Sequence, residues 1–174
     1  MDTNNNKKSW KKRILKLVYL IVIIIILLPV CGLAYLSLTS PKPAIPGVVD
    51  GKLPLCPKSP NCVCSFDEDK KHAIEPIRFQ GNPEEAFSLL QEEIKKLPRV
   101  KKIPLVKEVS AEEAAEAKYL HYEFTSLIFR YVDDVEFLLE PEENLIHVRS
   151  ASRAGHSDLN ANRERIEKIR ALIQ

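Results

Sequence analysis

Residues 132–153 read VDDVEFLLEPEENLIHVRSASR, and this stretch decides the fold. Val135, Phe137 and Leu139 alternate with Asp134, Glu136 and Glu140, the period-two pattern of a strand with one buried face. Pro141-Glu142-Glu143-Asn144 then supplies four turn residues. With these as the loop, antiparallel pairing sets 140 opposite 145, 138 opposite 147 and 136 opposite 149. Glu136 faces Arg149 in that register, while Phe137 and Leu139 share the other face with Ile146 and Val148. Charge and hydrophobic pattern thus select one register independently. Upstream, Leu120, Tyr122 and Phe124 alternate with His121 and Glu123, which extends the period-two region back to Lys118.

Outward from the hairpin the period changes to that of helices. Asn82 is a natural N-cap, Pro83 suits the first helical position, and Glu85 completes a capping box. Phe87, Leu90, Ile94 and Leu97 form one stripe that Pro98 closes. A short strand is expected over residues 73–79, weakened by Pro76, another over 103–109, and a helical turn from Ser110 to Glu113. The last helix is expected to start near Ser157 or Asp158, with Leu159, Ile166, Ile169 and Ile173 buried. The order indicates an α+β two-layer domain of about five antiparallel strands with two main helices.

The chain has 174 residues and a formal charge of +2, but the charge is unevenly spread. Residues 1–40 carry six cations (Lys7, Lys8, Lys11, Lys12, Arg13, Lys16) against Asp2, and the remainder is net −3. A folded part of that sign is a poor nucleic-acid binder, so no nucleic-acid partner is expected. Residues 17–38 (LVYLIVIIIILLPVCGLAYLSL) hold no charge over 22 positions, roughly 33 Å of helix and enough to cross a bilayer. The cations before it and their scarcity after it place the N-terminus in the cytoplasm. The expected organisation is a basic tail (1–16), a transmembrane helix (17–38), a Pro/Gly-rich stalk (39–55) and an extracytoplasmic domain (56–174), periplasmic in a Gram-negative cell. A cleaved signal peptide and a lipoprotein acylated at Cys31 are the competing readings.

Two motifs flank the domain: Cys56-Pro-Lys-Ser-Pro-Asn-Cys62-Val, and Asp133-Asp134-Val-Glu136-Phe followed by Arg149-Ser-Ala-Ser-Arg153-x-Gly155-x-Ser-Asp158-x-x-x-Asn162-Arg163-x-Arg165-Ile. Together they resemble the domain-of-unknown-function family 1499 over roughly residues 53–174. The resemblance implies a small, often membrane-anchored or exported protein and brings no activity with it. Cys64 departs from the family pattern, which more usually has a small serine-like residue there. In an oxidising compartment a Cys56–Cys62 disulfide is the first expectation, with Cys64 free or pairing between molecules. A metal site of Cys56, Cys62, Cys64 and His72 is the sharper alternative.

Asp134 and Glu136 share a face that Asp133 does not, so a structural pair with Arg149 competes with a cation site of Asp134, Glu136 and His121. The candidate ligand site is the strand-to-helix junction of Arg149, Ser152, Arg153, His156, Ser157 and Asp158. There an exposed strand face with two arginines meets a helix N-terminus suited to anions. The structural counterpart has Ser157 or Asp158 capping the helix and Arg153 paired with a neighbouring acid. Asn162 falls on the buried side and needs hydrogen-bond partners. Hydrolytic triples such as Ser152, His156 and Asp158, or Cys64 with His121, lack an orienting motif. The sequence therefore points to a non-catalytic binding or structural module without a cofactor. Its expected partners are the lipid bilayer and an envelope protein or anionic small molecule.

Overall fold

The computed structural model describes residues 3–38, 47–104 and 119–173. The chain divides into two compact units, Met1–Thr39 and Ser40–Gln174. The first is helix α1 (Thr3–Leu38), which runs unbroken through Pro29. Its segment Trp10–Tyr35 is long and apolar enough to cross a membrane. The helix starts well before the apolar run, because the lysines and arginine ahead of that run are themselves good helix formers. Cys31 lies within it as a free, exposed cysteine.

The second unit is an antiparallel sheet with two helices on one face. In chain order its elements are β1 (Cys62–Cys64), β2 (Ile77–Arg78), α2 (Pro83–Lys96), β3 (Val100–Ile103), β4 (Tyr119–Thr125), β5 (Val132–Glu140), β6 (Leu145–Ser152) and α3 (Ala161–Ile173). The six strands run β1-β6-β5-β4-β3, with β2 also paired to β6. The β5–β6 register is the one expected, Glu140 with Leu145, Leu138 with His147 and Glu136 with Arg149. Asn144, at φ 56°, closes the turn. Leu120, Tyr122, Val135, Phe137, Leu139, Ile146 and Val148 meet Phe87, Leu90 and Ile94 of α2 and Ile166 and Ile169 of α3 in one core. The Asn82 side chain accepts the Glu85 N–H at 3.1 Å, as a cap does.

Three expectations need correction. The strand expected over 73–79 shrinks to Ile77–Arg78, since Pro76 cannot donate to a ladder. The strand expected over 103–109 instead ends at Ile103, before Pro104; residues 105–109 and the turn expected at Ser110–Glu113 lie outside the described residues. The last helix begins only at Ala161. Leu159 (φ 53°) and Asn160 (φ 71°) are left-handed, which swings Leu159 out to 90 % exposure rather than into the core. The sixth strand, β1, is too short for any periodicity to reveal.

Of the stretch expected as a stalk, residues 39–46 lie outside the described residues, and a turn follows soon after them. Asp50 and Gly51 take positive φ between Val49 and Lys52, whose backbones exchange two hydrogen bonds of 2.9 and 3.0 Å. This turn returns Leu53 to the sheet face without helices, where it is 2 % exposed. Leu53, Cys64, Tyr119 and Leu138 form a second apolar cluster there, flanked by Val48, Cys56 and Phe66. The Phe66 ring stacks on His147 at 4.0 Å.

Candidate functional site

The helix-free face of the sheet carries a buried polar network, built by register. Cys64, Arg149, Glu136 and His121 stand in one cross-strand row, and Cys62, Ala151, Asp134 and Glu123 in the next. In the first row Arg149 Nη1 donates to Glu136 Oε2 at 2.8 Å, and the Tyr119 hydroxyl donates to Oε1 at 2.7 Å. Glu136 is fully buried. Desolvation pushes its carboxyl above the ordinary range, with Arg149 and Tyr119 holding back part of the rise. Tyr119 is raised as well, by burial first and then by the Glu136 charge.

In the second row Glu123 and Asp134 face each other directly, an arrangement of like charges that destabilises a sheet unless a cation intervenes. Arg153 is that cation. Its Nε and Nη2 grip both Asp134 oxygens at 2.8 and 2.7 Å, and Nη2 also reaches Glu123 Oε1 at 2.6 Å. Ala151 is the residue opposite Asp134 on β6, two positions before Arg153. His121 Nε2 completes the set, 2.7 Å from Asp134 Oδ1. Burial alone would raise the Asp134 carboxyl, but the hydrogen bonds and charge of Arg153 and His121 prevail and hold it below the usual range. Arg153 is correspondingly raised, chiefly by its hydrogen bond to Asp134. Two buried nitrogens on this face, His121 Nδ1 and Arg149 Nε, have no partner among the described residues.

The opposite face holds a second knot at the same end of β6. Asn162, fully buried on the first turn of α3, donates to the Asn61 carbonyl at 2.9 Å and to Ser152 Oγ at 3.0 Å. Its Oδ1 accepts from Ser150 Oγ and from Arg165 Nη1. Arg165 also pairs with Asp133 and lies over the Phe124 ring at 5.0 Å. Asn61 Nδ2 donates to the carbonyl of Gly155 at 2.7 Å, and Gly155 itself sits at φ +88°, a conformation glycine adopts without strain.

The six residues expected to converge at the strand-to-helix junction are therefore distributed over three places. Arg149 and Arg153 share the helix-free face but are not exposed on it, each side chain being 11 % accessible and held by the acids it pairs with. Ser152 points the other way, to Asn162. In the loop His156 is exposed, Ser157 Oγ accepts the Leu159 N–H, and the Asp158 carboxylate takes the N–H groups of Asn160 and Asn162 at 3.1 and 2.8 Å. Ser152 and Asp158 thus serve separate partners, His156 is exposed, and the three assemble no triad.

Cys56 and Cys62 form the expected disulfide, with Cα atoms 5.6 Å apart, and Cys64 is free and buried. Desolvation raises its thiol. The bridge removes two members of the Cys56, Cys62, Cys64 and His72 metal set, and His72 Nδ1 lies 2.9 Å from the Cys62 carbonyl. Cys64 and His121 stand at opposite ends of one row with Arg149 and Glu136 between them. Among the described residues no cluster of three or more His, Cys, Asp or Glu side chains has metal-holding geometry, so Asp134, Glu136 and His121 do not form the cation site considered above.

Sequence reasoning missed Glu123, Tyr119, Asn61 and Arg165. Glu123 becomes visible only once the β4–β5 register is known, and the six residues between those strands conceal it. The chain belongs to the family described as Protein of unknown function (DUF1499), whose sequence model matches residues 52–173. No curated protein and no solved structure matches it.

Proposed function

We propose that the chain is a single-pass, N-terminally anchored protein of the cell envelope whose α+β domain stands outside the cytoplasm and acts by binding, not by catalysis. The observation that carries this reading is the Cys56–Cys62 disulfide in a domain that follows an apolar helix preceded by six cations. A disulfide belongs to an oxidising compartment, and the cations belong to the cytoplasmic side; the two rules agree on the same topology. The binding role is favoured because the acids and histidine suited to catalysis are held in pairs: Glu136 by Arg149 and Tyr119, Asp134 by Arg153 and His121. An anion at the Arg149, Ser152, Arg153, His156, Ser157 and Asp158 junction would compete with two carboxylates already on Arg153. Contact with a partner accordingly falls to groups that the fold leaves uncommitted.

The test is membrane extraction of the full chain combined with protease added to intact cells stripped of any outer barrier. The expected result is a carbonate-resistant membrane protein whose domain is cut from outside. A chain released by carbonate, or a domain digested only after the membrane is opened, would refute the proposal.

A further inference from the structure

The β4–β5 connection departs from ordinary turn chemistry. The Ser126 N–H donates to the Tyr131 carbonyl at 2.8 Å and the Tyr131 N–H to Ser126 Oγ at 2.9 Å, which closes a loop of four residues. Such loops favour Gly, Asn, Asp, Pro and Ser, yet these four are Leu127, Ile128, Phe129 and Arg130. Leu127 is 69 % and Ile128 77 % exposed. The Phe129 ring leans on Tyr131 at 5.9 Å, and Arg130 takes the left-handed φ of 58° that Gly or Asn usually fills. Beside the tip, Thr125 and Ser126 line a groove of about 360 Å³ between the end of α2 and α3. Leu97, Phe124, Ile169 and Leu172 supply its apolar wall, and Arg99 and Lys168 stand exposed at it against one acid, Glu164. Arg99 Nε donates to the Thr125 carbonyl at 3.1 Å, so its charge is fixed at the base of the tip.

We infer that this hairpin tip and the basic groove beside it form a contact with an anionic membrane surface, with Leu127 and Ile128 entering the headgroup region and Arg99, Arg130 and Lys168 taking lipid phosphates. Exposed aliphatics beside aromatic rings and cations are the composition of an interfacial segment. The cations form a local surplus in a region, residues 41–174, that is net −3 overall. The bilayer is also the partner within reach. Eight residues, 39–46, separate the end of α1 from the first described residues of the domain, at most roughly 30 Å of extended chain. A domain of this size is itself roughly 35 Å across, so the tether keeps it within about one diameter of the lipid. The inference rests on the anchored reading above.

The test places the full chain in vesicles whose acyl chains carry bromine, a short-range quencher of tryptophan. Trp10, the single native tryptophan, reports on α1, and Ile128→Trp in a Trp10→Phe background reports on the tip. With phosphatidylcholine and phosphatidylglycerol together, both reporters are expected to be quenched. Reversing Arg99 and Lys168 to Glu should then lower the docked-to-free ratio of the tip by about fivefold or more for each cation lost. A tip reporter unquenched while Trp10 is quenched overturns the inference. Equal quenching in phosphatidylcholine alone, indifferent to charge reversal, overturns recognition of the anionic headgroup. A blue-shifted tip untouched by bromine and altered by dilution assigns the surface to a second copy instead. If Trp10 itself escapes quenching, the anchored reading fails, and this inference with it.

Discussion

Replacing Arg153 by methionine keeps most of the apolar stem and removes the guanidinium from between Glu123 and Asp134. Two carboxylates would then oppose each other across adjacent strands, with side chains 22 % and 4 % accessible. At the cross-strand separation of about 5 Å, and with the effective dielectric of about 20 suited to partly buried sites, their repulsion is about 3 kcal/mol. That agrees with the 3–5 kcal/mol typical of removing one partner from a buried ion pair. For a domain of this size about 3 kcal/mol corresponds to a melting shift of roughly 10–15 °C. Urea unfolding of the full chain in detergent, followed by circular dichroism, measures the loss directly. A second substitution isolates the cause. Glu123→Gln alone should cost less than about 1 kcal/mol, because Arg153 keeps both Asp134 contacts, whereas on the Arg153→Met background it should restore about half of the loss. A loss below about 1 kcal/mol for Arg153→Met, or no rescue by Glu123→Gln, would refute the claim that Arg153 holds two opposed carboxylates together.

The pH dependence of stability should show two limbs of opposite sign. Asp134, with its folded value lowered, contributes stability that is full above its unfolded value near about 3.9 and is lost as pH falls through the folded value, so Asp134→Asn should flatten the acid limb. Glu136, with its folded value raised, contributes stability that is present below about 4.3 and is lost as pH rises through the folded value; the stability of Glu136→Gln relative to the parent should therefore increase across that window. Alkylation in detergent should modify Cys31 in the native chain, Cys64 only after unfolding, and Cys56 and Cys62 only after reduction; a native-state Cys64 adduct would contradict its burial. Asn162→Ala should cost roughly 2–4 kcal/mol by leaving the Ser150 hydroxyl without its acceptor and removing the bonds to Ser152, Arg165 and the Asn61 carbonyl, and a loss under about 1 kcal/mol in thermal or urea unfolding would contradict its place in that knot.

The hairpin was legible because two signals of different origin, apolar alternation and the Glu136–Arg149 charge pair, demanded one register. Asn162 was legible for a similar reason: an amide on the apolar stripe of a helix must find partners, and it finds four. The α2 cap was equally plain from Asn82, Pro83 and Glu85. What escaped depends on contacts distant along the chain. Leu53 and Phe66 fold back onto the helix-free face of the sheet, and nothing in the alternation of β6 reveals which of its faces receives such a cover. Leu159 matched the helical stripe by spacing, yet two left-handed residues between Asp158 and Ala161 broke its phase. The junction carries the polar residues expected of a ligand site, but residue type does not say that Asp134 and Glu123 reach Arg153 first.

The position of β6 also orders how the domain can be completed. β1 and β2, made early, both hydrogen-bond to the last strand, so neither has its partner until residues 145–152 have been synthesised. Through that interval Cys56, Cys62 and Cys64 are three neighbouring thiols, and any pair among them can exchange. When β6 arrives, Cys64 comes to lie opposite Arg149 and loses all exposure. Thiol exchange needs a reachable thiolate, and the finished sheet offers none near the Cys56–Cys62 bridge. Chains halted before Leu145 should therefore carry mixed bridges, and full-length chains one. Completion of β6 thus withdraws Cys64 as a thiol able to reshuffle the Cys56–Cys62 bridge.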